Sequence, residues 1–165
     1  VSIGQMTDIE SHKRKYKHWL QQSDRTSGLI LYGVSRGTAT TFCAFAKEKY
    51  PEVKLVILEG AIDSIPQVLP KRYSTQLKSD FVANNLASGL GNCLSLFTAY
   101  KPDGISPLAC VADYPENIPT VFVTSEIDTA VPCENTERIA KALASREKND
   151  VYLLKLKIPM LKEMK

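Results

Sequence analysis

The sequence predicts an α/β domain: a doubly wound, mostly parallel sheet with an inserted helical cap. Three observations predict it. Four short apolar runs, at residues 28–32, 53–58, 119–124 and 151–156, are nearly continuous in hydrophobic character, as strands covered on both faces are. Helical patterns separate them, and parallel neighbours require such crossovers because each connection must return the chain to the same end of the sheet. The chain has 165 residues, 44% hydrophobic and 24% charged, enough for one core without disulfide or metal staples.

Taken in order, Thr7-Asp8-Ile9-Glu10 has the form of a capping box, in which Thr7 and Glu10 each satisfy an orphaned backbone donor. It predicts a helix over 8–22 whose apolar stripe holds Ile9, Tyr16, Trp19 and Leu20. His12 falls on that stripe, where a histidine is expected to be partly buried and satisfied, and His18 points away toward solvent. After a polar turn, Gly28 to Tyr32 forms the first strand, and Gly33-Val34-Ser35-Arg36-Gly37 follows it directly. A second helix is expected over 38–50, ended by Pro51, and a second strand over 53–58. From 61 to 117 the pattern loosens, with one helix expected near 79–87; this stretch is the expected cap. Strand 119–124, helix 134–144 and strand 151–156 complete the order, and Pro159 stops the last strand.

Composition excludes several function classes. The net charge of +3 is scattered, with only Lys13 to Lys17 dense, so no nucleic-acid partner is expected. No run is long enough to span a membrane and no signal-peptide pattern opens the chain, so a cytoplasmic location is expected. Cys43, Cys93, Cys110 and Cys133 lack metal-site or dithiol spacing and read as reduced, partly buried thiols; neither a metal nor a cofactor is expected.

The residues 33–37 carry the chemistry. They match G-x-S-x-G between a buried strand and a helix, the context in which the serine is thrust out on a strained turn at the sheet's carboxyl edge. Glycine at 33 and 37 is expected to remove Cβ atoms that would collide there. The helix that follows aims its positive end at the same point. A serine capping an ordinary βα turn is the structural alternative, and G-x-G-x-x-G nucleotide binding fails because Ser35 and Thr38 stand where glycines are needed.

With this motif the chain resembles the α/β-hydrolase family over residues 2–156. The resemblance implies that Ser35 is the nucleophile, that the Arg36 N–H forms part of the oxyanion hole, and that an acid follows a later strand. Val121 to Pro132 looks like the family's strand, turn, acid and Val-Pro sequence, which makes Asp128 the acid, with Glu126 as rival. The family places a histidine after the last strand; residues 157–165 contain none. The second oxyanion donor comes from an upstream loop in the family, so the sequence is expected to be the carboxyl-side part of a longer or degenerate hydrolase. Two functions follow: a serine hydrolase acting on a small-molecule ester, thioester or amide, or an inactive hydrolase-like domain that binds a small molecule or protein. Tyr73, Phe81, Leu86, Leu94, Phe97 and Tyr100 are candidates to line an acyl site or to form the cap's own core. Arg36 and Glu59 are candidates to touch substrate or to form surface ion pairs.

Overall fold

A computed structural model describes residues 6–22, 28–63, 105–128 and 130–157. The elements run α1 (Met6–Gln22), β1 (Leu29–Val34), α2 (Arg36–Glu48), β2 (Val53–Glu59), α3 (Pro107–Cys110) continued by a 3-10 turn (Val111–Asp113), β3 (Thr120–Ser125), α4 (Cys133–Ala144) and β4 (Val151–Leu156). The four strands lie in the order β1-β2-β3-β4 and every pairing is parallel. The parallel α/β class read from the apolar runs is therefore observed, and each strand falls within two residues of its expected bounds. The expected helix at 79–87 and the six candidate acyl-site residues of the cap lie outside the described residues.

Among the described residues, the helices cover one face of the sheet. Leu31, Val56, Leu58 and Phe122 share one face of the sheet and are buried in a single core with Ile9 of α1, Phe42 and Phe45 of α2, and Ile139 and Leu143 of α4. On the opposite face Ile30, Tyr32, Tyr152 and Leu154 are each more than half exposed. The reason is topological. Right-handed crossovers between strands laid down in one direction all fall on the same side, and cover on both sides requires the strand order to reverse. No reversal occurs within β1 to β4.

Two local readings are also corrected. Thr7 lies inside α1, which already includes Met6, so it does not cap that helix as the capping-box reading requires. α2 begins at Arg36 rather than Thr38 and closes at Lys49, whose left-handed backbone (φ 50°) ends it before Tyr50. Tyr50 instead turns into the core, stacked on Tyr16 at 3.9 Å between ring centroids.

Residues 105–117, at the end of the loosely patterned stretch, pack into this main core. Ser106 caps α3 by accepting from the Ala109 N–H, and Pro107 occupies the first turn, where its missing donor costs nothing. Tyr114 is wedged between Phe42 and Phe45, with its hydroxyl 2.9 Å from Thr120 Oγ1. Arg146 secures the turn from outside by donating to the Val111 and Tyr114 carbonyls. Cys43 and Cys110 meet here as buried free thiols, and their mutual hydrogen bond, followed by burial, pushes the Cys43 thiol far up.

Candidate functional site

The carboxyl edge of the sheet gathers the ends of all four strands. At the end of β1 the chain turns through Ser35, whose φ of 50° and ψ of −121° are sparsely populated for any residue with a side chain. Both backbone polar groups of Ser35 are held. Its N–H donates to the Glu59 carbonyl at 2.8 Å, and its carbonyl accepts from the Thr38 N–H at 3.0 Å and from Thr38 Oγ1 at 2.5 Å. The half-buried serine stands at the mouth of α2, whose first N–H groups have no intrahelical partner and carry the positive end of the helix dipole. Arg36, the first of these, is exposed in its side chain while its amide belongs to that free first turn.

The flanking glycines are not equivalent. A Cβ at Gly33 would lie 3.0 Å from the Gly37 carbonyl oxygen, Thr38 Cα and Thr41 Oγ1, so a side chain there would have to push α2 and β1 apart by a few tenths of an ångström. A Cβ on Gly37 would meet nothing within 4 Å among the described residues, which corrects the expectation that both glycines relieve a collision. Gly37 already has helical geometry and faces the open edge.

Asp128 lies in the turn after β3. Its N–H donates to the Ser125 carbonyl, and its Oδ1 accepts from the Ala130 N–H at 2.7 Å and the Val131 N–H at 3.1 Å. The turn thus orients the carboxylate with its own backbone. Glu126, by contrast, is exposed. One strand, β2, separates β1 from β3, so the turns that carry Ser35 and Asp128 leave the same, carboxyl edge of the sheet from strands two positions apart.

Neither histidine of the sequence follows a strand end at this edge. Both lie on α1. His12 Nδ1 is 3.2 Å from the Tyr50 hydroxyl, and Tyr50 precedes β2 at the amino edge, the opposite end of the sheet. Burial, and less strongly Lys15, hold the His12 imidazole below its ordinary pKa. Glu59, at the end of β2, accepts from the Tyr32 hydroxyl on the exposed sheet face. No group of three or more His, Cys, Asp or Glu side chains suited to a metal ion occurs among the described residues. No described helix is long and apolar enough to cross a membrane.

Behind the edge lies a buried polar patch that local sequence patterns do not signal. The turn Ala61-Ile62-Asp63 after β2 is contacted from both sides. Thr38 Oγ1 accepts from the Ile62 N–H at 3.3 Å, Thr136 Oγ1 donates to the Ala61 carbonyl at 3.2 Å, and Arg138 Nε donates to the buried Asp63 carboxylate at 2.5 Å. These partners are distant in sequence, so no short motif could have found them.

No protein-family model matches the chain, and no curated protein matches it in sequence. Solved structures do match in shape. An esterase from Pyrococcus furiosus superposes with a TM-score of 0.66 at 15% identity, over 96% of this chain and 55% of its own. A puromycin-hydrolyzing peptidase from Mycobacterium tuberculosis gives 0.61 at 20% identity, over 90% of this chain and 21% of its own. An alpha/beta hydrolase enzyme from a lagoon-sediment metagenome gives 0.51 at 19% identity, over 92% and 60%. The chain thus spans between about a fifth and three fifths of these neighbours' lengths. What it shares with them is the fold: an α/β-hydrolase-like arrangement of parallel strands and crossover helices.

Proposed function

We propose that this chain is the serine-bearing part of a hydrolase that cleaves an ester, thioester or amide through an acyl-enzyme on Ser35. The observation that supports it best is the backbone of Ser35, a non-glycine residue held at φ 50° where a strand turns into a helix. Such strain persists only where surrounding structure enforces it, and in this reading it serves to present the hydroxyl at the carboxyl edge. In this reading Ser35 Oγ attacks the substrate carbonyl carbon and its proton passes to a base. The carbonyl oxygen becomes an oxyanion beside the Arg36 N–H, and collapse expels the alcohol, thiol or amine. Water then releases the acid by the same route. Asp128, braced by its own turn, is the group to orient the base and stabilise it once protonated. This sequence places no histidine at Ser35, so full turnover requires a base from beyond these residues.

That absence favours a second reading, a hydrolase-like domain that binds a small molecule or protein without catalysis. One experiment separates them. Incubation with a fluorophosphonate probe in the presence of added imidazole, which supplies the missing base, followed by intact mass and peptide mapping, should place the adduct on Ser35 and show none in Ser35→Ala. A folded chain that stays unlabelled under conditions that modify a known serine hydrolase leaves only the binding reading.

A further inference from the structure

We infer that Thr38 is a positioning residue for Ser35: its hydroxyl ties the strained elbow to the turn after β2. The inference rests on the serine-hydrolase reading for its catalytic meaning but on hydrogen-bond geometry for its substance. Thr38 lies in the first turn of α2 and is 1% exposed. Its hydroxyl donates to the Ser35 carbonyl at 2.5 Å and accepts from the Ile62 N–H at 3.3 Å. A hydroxyl can perform both roles at once; a methyl group in its place can perform neither. With the Ser35 N–H fixed on Glu59, the Thr38 contacts complete the restraint on both peptide groups of the serine.

The far end of this tie explains why it bears on the site rather than on stability alone. Ile62 packs with Val131 in a small buried cluster of their own, and Val131 is one of the two amides that hold Asp128 Oδ1. Ala61 and Asp63, on either side of Ile62, are gripped by Thr136 and Arg138 of α4, the helix that leaves the Asp128 turn. The turn at 61–63 is therefore a strap between the serine's loop and the acid's loop, and Thr38 is its attachment on the serine side. Loss of the hydroxyl frees Ser35 to relax and uncouples its position from that of Asp128.

The test uses the full chain and the variants Thr38→Val, Thr38→Ser and Tyr114→Phe. The last removes a buried hydrogen bond to Thr120, remote from the edge, and controls for general destabilisation. Thr38→Val is expected to slow fluorophosphonate labelling at least tenfold and to lose amide hydrogen-exchange protection at Ser35 and Ile62. Thr38→Ser should restore both to within about threefold, and Tyr114→Phe should label at the wild-type rate. Should the valine variant unfold, Thr38→Ala takes its place. Wild-type labelling in the hydroxyl-free variant, or equal slowing in Tyr114→Phe, overturns the inference. If the wild type itself is unlabelled, the hydrolase reading falls and the exchange data decide the tie: protection lost without the hydroxyl and regained with serine supports it, and unchanged protection overturns it.

Discussion

Alanine at Gly33 and alanine at Gly37 should have opposite effects, although the motif treats the two glycines alike. At position 33 the new Cβ sits 3.0 Å from the Gly37 carbonyl oxygen and from Thr38 Cα, both backbone atoms of α2, so relief requires the helix to move off β1. Overpacking of this kind costs about 1–3 kcal/mol. At position 37 the new methyl group meets nothing among the described residues, and the backbone is already helical. Alanine there restricts the unfolded chain and favours the helix by up to about 1 kcal/mol. The two variants should therefore differ by roughly 1–4 kcal/mol, which for a chain of this size is a gap of several degrees in Tm, at about 2–4 °C per kcal/mol. Urea titration with unchanged slope measures the difference as a shift in midpoint. Equal midpoints, or a Gly37→Ala variant less stable than Gly33→Ala, would refute the steric account of the elbow.

Three further outcomes are expected. Ser35→Gly should be more stable than Ser35→Ala by about 1 kcal/mol or more, because glycine alone tolerates φ 50° with ψ −121° without strain; equal thermal midpoints would show that the elbow is unstrained. Arg138→Ala removes a charge-assisted partner from the Asp63 carboxylate, which is 1% exposed, and should cost roughly 1–3 kcal/mol in urea unfolding; a change below a few tenths would mean that the pair is idle. Acidification should destabilise the fold through His12. Its folded pKa lies below the unfolded 6.5, so the unfolded chain takes the proton first; the contribution is complete above about pH 6.5 and is lost as pH falls toward the folded value. The slope of Tm against pH in that window should flatten in His12→Gln, and an unchanged slope would assign the effect elsewhere.

Local pattern carried much of the fold because a buried strand and a crossover helix each leave a signature a few residues long. Residues 28–32 and 119–124 stand out as apolar runs, and Ser35 stands out because a strand, two glycines and a helix come together. Strand order leaves no such trace. It decided which face the helices cover, and so left Ile30 and Tyr152 exposed on strands that read as buried. The capping box failed at Thr7 because four residues cannot show whether a helix has already begun upstream. Thr38 read only as a helix start, since its partners Ser35 and Ile62 meet it across the βα turn and the adjacent strand. Asp63 and Arg138 are a comparable case: each is unremarkable alone, and only the seating of α4 beside the turn after β2 makes them a pair.

The register between β2 and β3 also shapes how the molecule comes together. β1 and β2 are joined through α2, and β3 and β4 through α4, so each pair forms from contacts near in sequence. Val56 with Thr120 and Glu59 with Val123 have no such short route, because the whole stretch from 60 to 119 must be closed first. Closing a longer loop costs more chain entropy, and distant pairings slow folding. Ser35 belongs to the first half and Asp128 to the second. The pairing that carries the largest chain-entropy cost is therefore the one that brings them to a common edge, and folding speed should respond to changes at Val56 and Thr120 more than to changes within either half.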